Sequence, residues 1–133
     1  MTIRQIISSR VAEPPPRLWS NCLRAGDTVY LSGLTARGPD LSATGGGEYE
    51  QTRRIFQRMR DLLVAAGGSL SDVVKLTLYV TDITKRTEVW RARAEVFDGV
   101  FPAATLVEVS ALAELEINVE IEAIAVLGRG GRQ

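Results

Sequence analysis

An α+β fold is predicted by three features of the sequence. Segments of strand length with period-two apolar alternation occur towards both ends of the chain, and two stretches between them carry apolar residues at helical spacing. The resulting order is strand, hairpin, helix, strand, helix, strand, strand, which makes each helix a crossover between strands of one sheet. A chain of 133 residues is long enough for one core beneath such a sheet, so a single domain over 1–133 is expected. Right-handed crossovers put both helices on the same sheet face. The other face then needs a partner, and a homo-oligomer packing sheet faces together is expected.

Composition narrows the chemistry. Sixteen basic and sixteen acidic residues cancel, so no global field draws the chain to nucleic acid or to an anionic membrane. A lone Cys22 permits no internal disulfide. The N-terminal segment lacks a signal-peptide hydrophobic region and no apolar run approaches the roughly 18 residues of a membrane span, so a cytoplasmic protein is expected. There is no histidine, which removes Ser-His-Asp triads and the usual zinc sites. Any catalysis falls to carboxylates, hydroxyls, Arg, Lys or backbone groups.

Taken in order, Thr2–Ser9 suits a short edge strand, and Glu13-Pro14-Pro15-Pro16 enforces an extended connector within an N-terminal segment of residues 1–16. The proline run is read as a spacer, with a ligand for an SH3-type domain as the alternative. Trp19–Arg24 and Val29–Gly33 form a hairpin around Ala25-Gly26-Asp27-Thr28. Ser32-Gly33 at its end is either a plain strand terminus or a place where backbone amides approach a ligand closely. Residues 34–47 hold Gly38-Pro39-Asp40 and Gly45-Gly46-Gly47 and read as a surface loop; no Gly-Lys-Ser/Thr follows, so they are not a phosphate loop.

Tyr49 to Ala66 is an amphipathic helix with Thr52, Ile55, Phe56, Met59, Leu62, Leu63 and Ala66 inward, stopped by Gly67-Gly68. Arg53, Arg54, Arg58, Arg60 and Asp61 are placed outside, as a solvated face rather than a nucleic-acid patch, since no aromatics interleave with them. Asp72–Val80 is a strand with Val74, Leu76, Leu78 and Val80 on one face. A second helix over Thr84–Asp98 carries Ile83, Thr87, Trp90, Ala94 and Phe97 as its stripe, and Phe101-Pro102 stops it. Residues 127–133 read as a flexible, Gly-rich basic tail, with RNA contact as the minor alternative.

Two closing strands, over Phe101–Val109 and Ile117–Val126, complete the sheet. The second puts Ile117, Val119, Ile121, Ala123 and Ala125 on one face and Asn118, Glu120 and Glu122 on the other. Two carboxylates on so apolar a strand are either solvated or lie in a groove where something needs them.

Together, Trp19, Gly26-Asp27-Thr28-Val29-Tyr30-Leu31-Ser32-Gly33, Gln51-Thr52-Arg53, Ala65-Ala66-Gly67-Gly68-Ser69-Leu70-Ser71-Asp72-Val73-Val74-Lys75, Phe101-Pro102-Ala103 and Val119-Glu120-Ile121-Glu122-Ala123-Ile124-Ala125 closely resemble the Rid family of reactive-intermediate deaminases, also called YjgF. The resemblance spans about residues 15–126. It implies a chorismate-mutase-like mixed sheet with two helices on one face and a homotrimer with sites between subunits. It also implies hydrolysis of imines and enamines such as 2-aminoacrylate, without cofactor or metal. Small-molecule substrates are the implied partners; membranes are not, and a role as endoribonuclease or translation inhibitor, assigned to some members, is the less favoured reading.

Carried over by position, the resemblance makes Glu120 the catalytic carboxylate and Trp19, Ser32, Gly33, Ala104, Thr105 and Leu106 the substrate-binding set. Deaminase members carry an Arg that grips the substrate carboxylate where this chain has Ala104, and such a bidentate contact is worth about 1.5–3 kcal/mol. Trp19 replaces a usual Tyr, Leu106 a usual Cys, and Trp90 and Arg93 also depart from the pattern. The chain therefore reads as a divergent member whose substrate is not 2-aminoacrylate, or as a binding or regulatory trimer. Loss of the Arg removes the nearest positive charge from Glu120, so its pKa should rise and favour the acid role. Arg17 and Arg24 are spare candidates for meeting a substrate carboxylate.

Overall fold

The computed structural model describes residues 2–38 and 45–128. Six strands make one sheet: β1 (Ile3–Gln5), β2 (Cys22–Ala25), β3 (Thr28–Leu34), β4 (Val73–Val80), β5 (Ala103–Glu108) and β6 (Val119–Val126). Their spatial order is β1-β2-β3-β6-β4-β5. Neighbours run antiparallel except β4 and β5, which are parallel and joined by a helical crossover. Helices α1 (Glu48–Ala65) and α2 (Arg86–Val96) cover one face, as the element order predicts.

Sequence periodicity explains this packing. On β3, β4 and β6 the buried residues alternate: Val29 and Leu31; Leu76, Leu78 and Val80; Val119, Ile121, Ala123 and Ala125. They meet Ile55, Phe56, Met59, Leu62 and Leu63 of α1, which recur at helical spacing. Gly67 ends α1 at a φ of 94°, and the Gly68 N–H reaches back to the Leu63 carbonyl at 2.8 Å, closing the last turn. Phe56 and Phe97 stack edge to face at 5.4 Å, tying α1 to the end of α2. The β2–β3 turn is the expected tight hairpin, with Gly26 at a φ of 61°.

Four local expectations are corrected. Trp19 lies before β2 rather than in it, because the chain turns at Arg17, whose φ is 70°, and pairing begins only at Cys22. Val73 rather than Val74 is buried, since a register shift against β6 between Val73 and Lys75 turns Val74 outward. The inward stripe of α2 is Val89, Ala92 and the following Phe97, while Thr87, Trp90 and Ala94 face out. A tight turn Ile83–Lys85, capped by the Asp82 carboxylate accepting from the Thr84 N–H, precedes the helix; Val89 and Phe97 pack into the core, and Trp90 instead lies under the Arg86 guanidinium at 5.6 Å. Arg58, assigned to the solvated side of α1, is partly buried.

The sheet face away from the helices carries Tyr30, Lys75, Thr77, Tyr79, Thr105, Val107, Glu120, Glu122 and Ile124, with Tyr30 and Val107 exposed. Residues 39–44 of the expected glycine loop and 129–133 of the expected tail lie outside the described residues. Among the described residues no helix is long and apolar enough to cross a membrane.

Candidate functional site

The site is built on an irregularity in the β3–β6 ladder. Leu31 pairs with Ala123 and Leu34 with Ile121, so β3 spends one more residue than β6 over this stretch, and Ser32-Gly33 is the bulge. The bulge lays Gly33 against the side chain of Glu120. A Cβ placed on Gly33 would stand 2.4 Å from Glu120 Oε2, 2.9 Å from its Cδ and 3.0 Å from its Cγ. Gly33 does not adopt a positive φ, so glycine is required here for space and not for backbone conformation. Ser32 fastens the neighbouring connector: its N–H donates to the Asn21 carbonyl at 2.9 Å and its Oγ to the Ser20 carbonyl at 2.5 Å. Asn21 Nδ2 in turn donates to the Ala12 carbonyl at 3.0 Å.

Beside the bulge is a cavity of about 100 Å³ lined by Glu120, Gly33, Trp19, Pro14, Asn21, Ala113, Arg37 and Arg58. Half-burial pushes the Glu120 carboxyl above its ordinary range; the negative charge of Glu122 adds to the rise and Arg37 opposes it. The rise matches the expectation, but burial is its main cause and a cation is close by. It also does not favour the acid role alone: a raised pKa makes the ionised carboxylate a stronger base and enlarges the protonated fraction at a given pH. Such a group is suited to taking a proton from water and returning it.

Arg37 Nη2 pairs with Glu114 Oε1 at 2.7 Å, and Arg58 Nη1 donates to the Thr35 carbonyl. Burial and the charge of Arg37 both lower the Arg58 pKa, as expected for two neighbouring guanidiniums. The fully buried Gln51 fixes the start of β6. Its Nε2 donates to the Gly46 and Glu116 carbonyls at 3.0 and 2.7 Å, and its Oε1 accepts from the Asn118 N–H at 2.8 Å.

A sequence profile described as endoribonuclease L-PSP matches residues 11–127. The chain belongs to this family, also known as YjgF, RutC or Rid. A RutC family protein from Pyrococcus horikoshii is 32% identical over 124 residues, covering 92% of this chain and 98% of the relative. The human 2-iminobutanoate/2-iminopropanoate deaminase is 31% identical over 127 residues, covering 95% and 92%. A solved Pseudomonas aeruginosa protein of unknown function superposes with a TM-score of 0.86 at 36% identity, covering 96% of this chain and 94% of that one.

Against the Rid pattern, the structure gathers Trp19, Gly33 and Glu120 around one cavity, with Ser32 immediately behind it. Ala104, Thr105 and Leu106 lie elsewhere, on the edge strand β5 beyond β4. Thr105 shares the open face with Glu120 and accepts from Lys75 Nζ at 3.1 Å. Ala104 and Leu106 pair with Leu76 and Leu78 and face the helix side, opposite Glu120. Arg24 is committed to the end of α1, donating through Nη1 to the Ala66 carbonyl and through Nε to the Gly26 carbonyl, each at 2.9 Å. Neither it nor Arg17 lines the cavity. Sequence reasoning named Gln51 only within a motif and Arg58 only as a solvated residue, and it did not name Arg37. Arg58 had a readable signal, standing three residues after the buried Ile55 and seven after Gln51; Arg37 had none, because it sits in a loop.

Proposed function

We propose that the protein is a cofactor-independent imine and enamine deaminase in which Glu120 moves the proton. The observation that carries this reading is the half-buried Glu120 carboxylate, laid against Gly33 in a cavity with an aromatic wall and two guanidiniums. In the reaction water adds to the imine carbon and gives a proton to Glu120, forming the C–O bond and a carbinolamine. Glu120 returns that proton to the nitrogen, then takes the carbinolamine hydroxyl proton and passes it to the nitrogen as well; the C–N bond breaks, ammonia leaves, and the carbonyl forms. One imine and one water thus give one carbonyl compound and one ammonia. The human relative's name describes deamination of 2-imino acids, which supports imine deamination here as a class.

Ala104 removes the carboxylate anchor from β5, so in this reading 2-aminoacrylate is a poor substrate unless another cation of the site meets its carboxylate. In one chain the cavity holds about 100 Å³, short of the few hundred typical of ligand sites. Ala104, Thr105 and Leu106 sit on an edge strand with unpaired backbone groups. A homotrimer that brings one copy's β5 to the next copy's Glu120 completes the site. Light scattering should therefore give about three times 14.5 kDa; a stable monomer at micromolar concentration contradicts it.

The activity test is ammonia release from a panel of imines generated in situ by an amino-acid oxidase. Acceleration of at least one supports the hydrolase; acceleration of none favours a non-catalytic binding trimer, for which Ala104 is the supporting observation. The endoribonuclease named in the family description is less favoured, because the chain has zero net charge and no histidine. RNA binding should be weak and vanish with modest salt.

A further inference from the structure

We infer that Arg37 is the specificity-determining residue of this site, binding the carboxylate of an imino-acid substrate in place of an anchor on β5. The inference rests on the hydrolase reading for its chemistry but on the cavity alone for its geometry. Among the described residues, Arg37 and Arg58 are the two cations that line the Glu120 cavity, and they are not equivalent. Arg58 is tied to α1 and spends an N–H on the Thr35 carbonyl. Arg37 leaves β3 just past the bulge, and its Nη2 contact with Glu114 fixes the plane of the guanidinium.

That contact uses one of five N–H donors. Arg37 Nε is buried and has no hydrogen-bond partner among the described residues. A buried donor left unpaired is costly unless a ligand or water meets it. Nε–H and the Nη2–H beside it make the side fork that suits a carboxylate; Glu114 takes one of the two N–H groups of Nη2. The neighbouring charge of Arg58 makes an anion at this point more favourable still. Arg37 further opposes the raised pKa of Glu120. A carboxylate bound at Arg37 offsets that opposition and leaves Glu120 a stronger base when substrate is in place.

The test is calorimetric titration of the full chain with 2-oxobutanoate, the keto acid corresponding to 2-iminobutanoate, and with its uncharged methyl ester. Arg37→Leu should weaken the acid by roughly 10- to 150-fold, the range of one charge-assisted pair, and leave the ester within about twofold. Arg37→Lys should recover only part, because an ammonium lacks the fork. In turnover, Arg37→Leu should raise KM for 2-imino acids more than it lowers kcat, whereas Glu120→Gln should lower kcat and spare acid binding. If the Leu variant does not fold, Arg37→Gln makes the same comparison.

A folded variant that binds the acid as tightly as the parent overturns the inference. So does equal loss for acid and ester, which marks a residue that only shapes the pocket, and so does a parent that binds no acid at millimolar concentration. A parent that hydrolyses no imine but binds the acid through Arg37 overturns the hydrolase reading and leaves this inference standing.

Discussion

Gly33→Ala separates the chemistry of the site from the stability of the fold. The added methyl carbon would lie 2.4 Å from Glu120 Oε2 and within 3.0 Å of two further side-chain atoms. Carbon–oxygen contacts settle nearer 3.5 Å, so the carboxylate must retreat by about 1 Å. A displacement of that size at a reacting group costs on the order of 100-fold in rate. Folding should suffer little. The φ of Gly33 is not positive, so alanine fits the backbone and gains about 0.4–1 kcal/mol by restricting the unfolded chain, against the cost of moving one half-exposed side chain. The expected result is a kcat/KM reduced roughly 100-fold for the best imine substrate with Tm within about 4 °C of the parent. The assay is ammonia release under oxidase generation of the imine, with thermal unfolding measured in parallel. A folded Gly33→Ala protein with parental kcat/KM would refute the claim that catalysis depends on where Gly33 lets Glu120 lie.

Two further perturbations test the supporting structure. Glu120 has a higher pKa folded than in the unfolded chain, where it is near 4.5, so its contribution to stability is fully present below that value and is lost as pH rises through the folded pKa. Glu120→Gln should therefore raise Tm at pH 7 and converge with the parent near pH 4; a constant offset at every pH contradicts the shift. Gln51→Leu strands the Asn118 N–H and the Glu116 carbonyl. It should cost about 2–4 kcal/mol in urea unfolding at unchanged m-value, and a loss below about 0.5 kcal/mol would show that Gln51 does not hold β6 in place.

Much of the fold was legible because local and tertiary demands agree. The stripe from Thr52 to Ala66 and the alternation from Val119 to Ala125 are buried as periodicity predicts. Glu120 stood out because a carboxylate in an apolar strand needs a reason. Reading failed where packing at a distance decides. In α2 both faces carry apolar residues, and packing against the core buries Val89 and Ala92 and leaves Trp90 outside. The space requirement at Gly33 exists only once the β3–β6 register creates a bulge. Arg37 and Gln51 act through partners 77 and up to 67 residues away, and no local pattern encodes such contacts.

The most direct measurement of the central claim compares the parent with Glu120→Gln in ammonia release from imines formed in situ. The parent should accelerate hydrolysis of at least one imine above the rate in buffer, and folded Glu120→Gln, of the same assembly state, should bring that rate back to the buffer value. Equal acceleration by both proteins would contradict the assignment of Glu120 as the group that moves the proton.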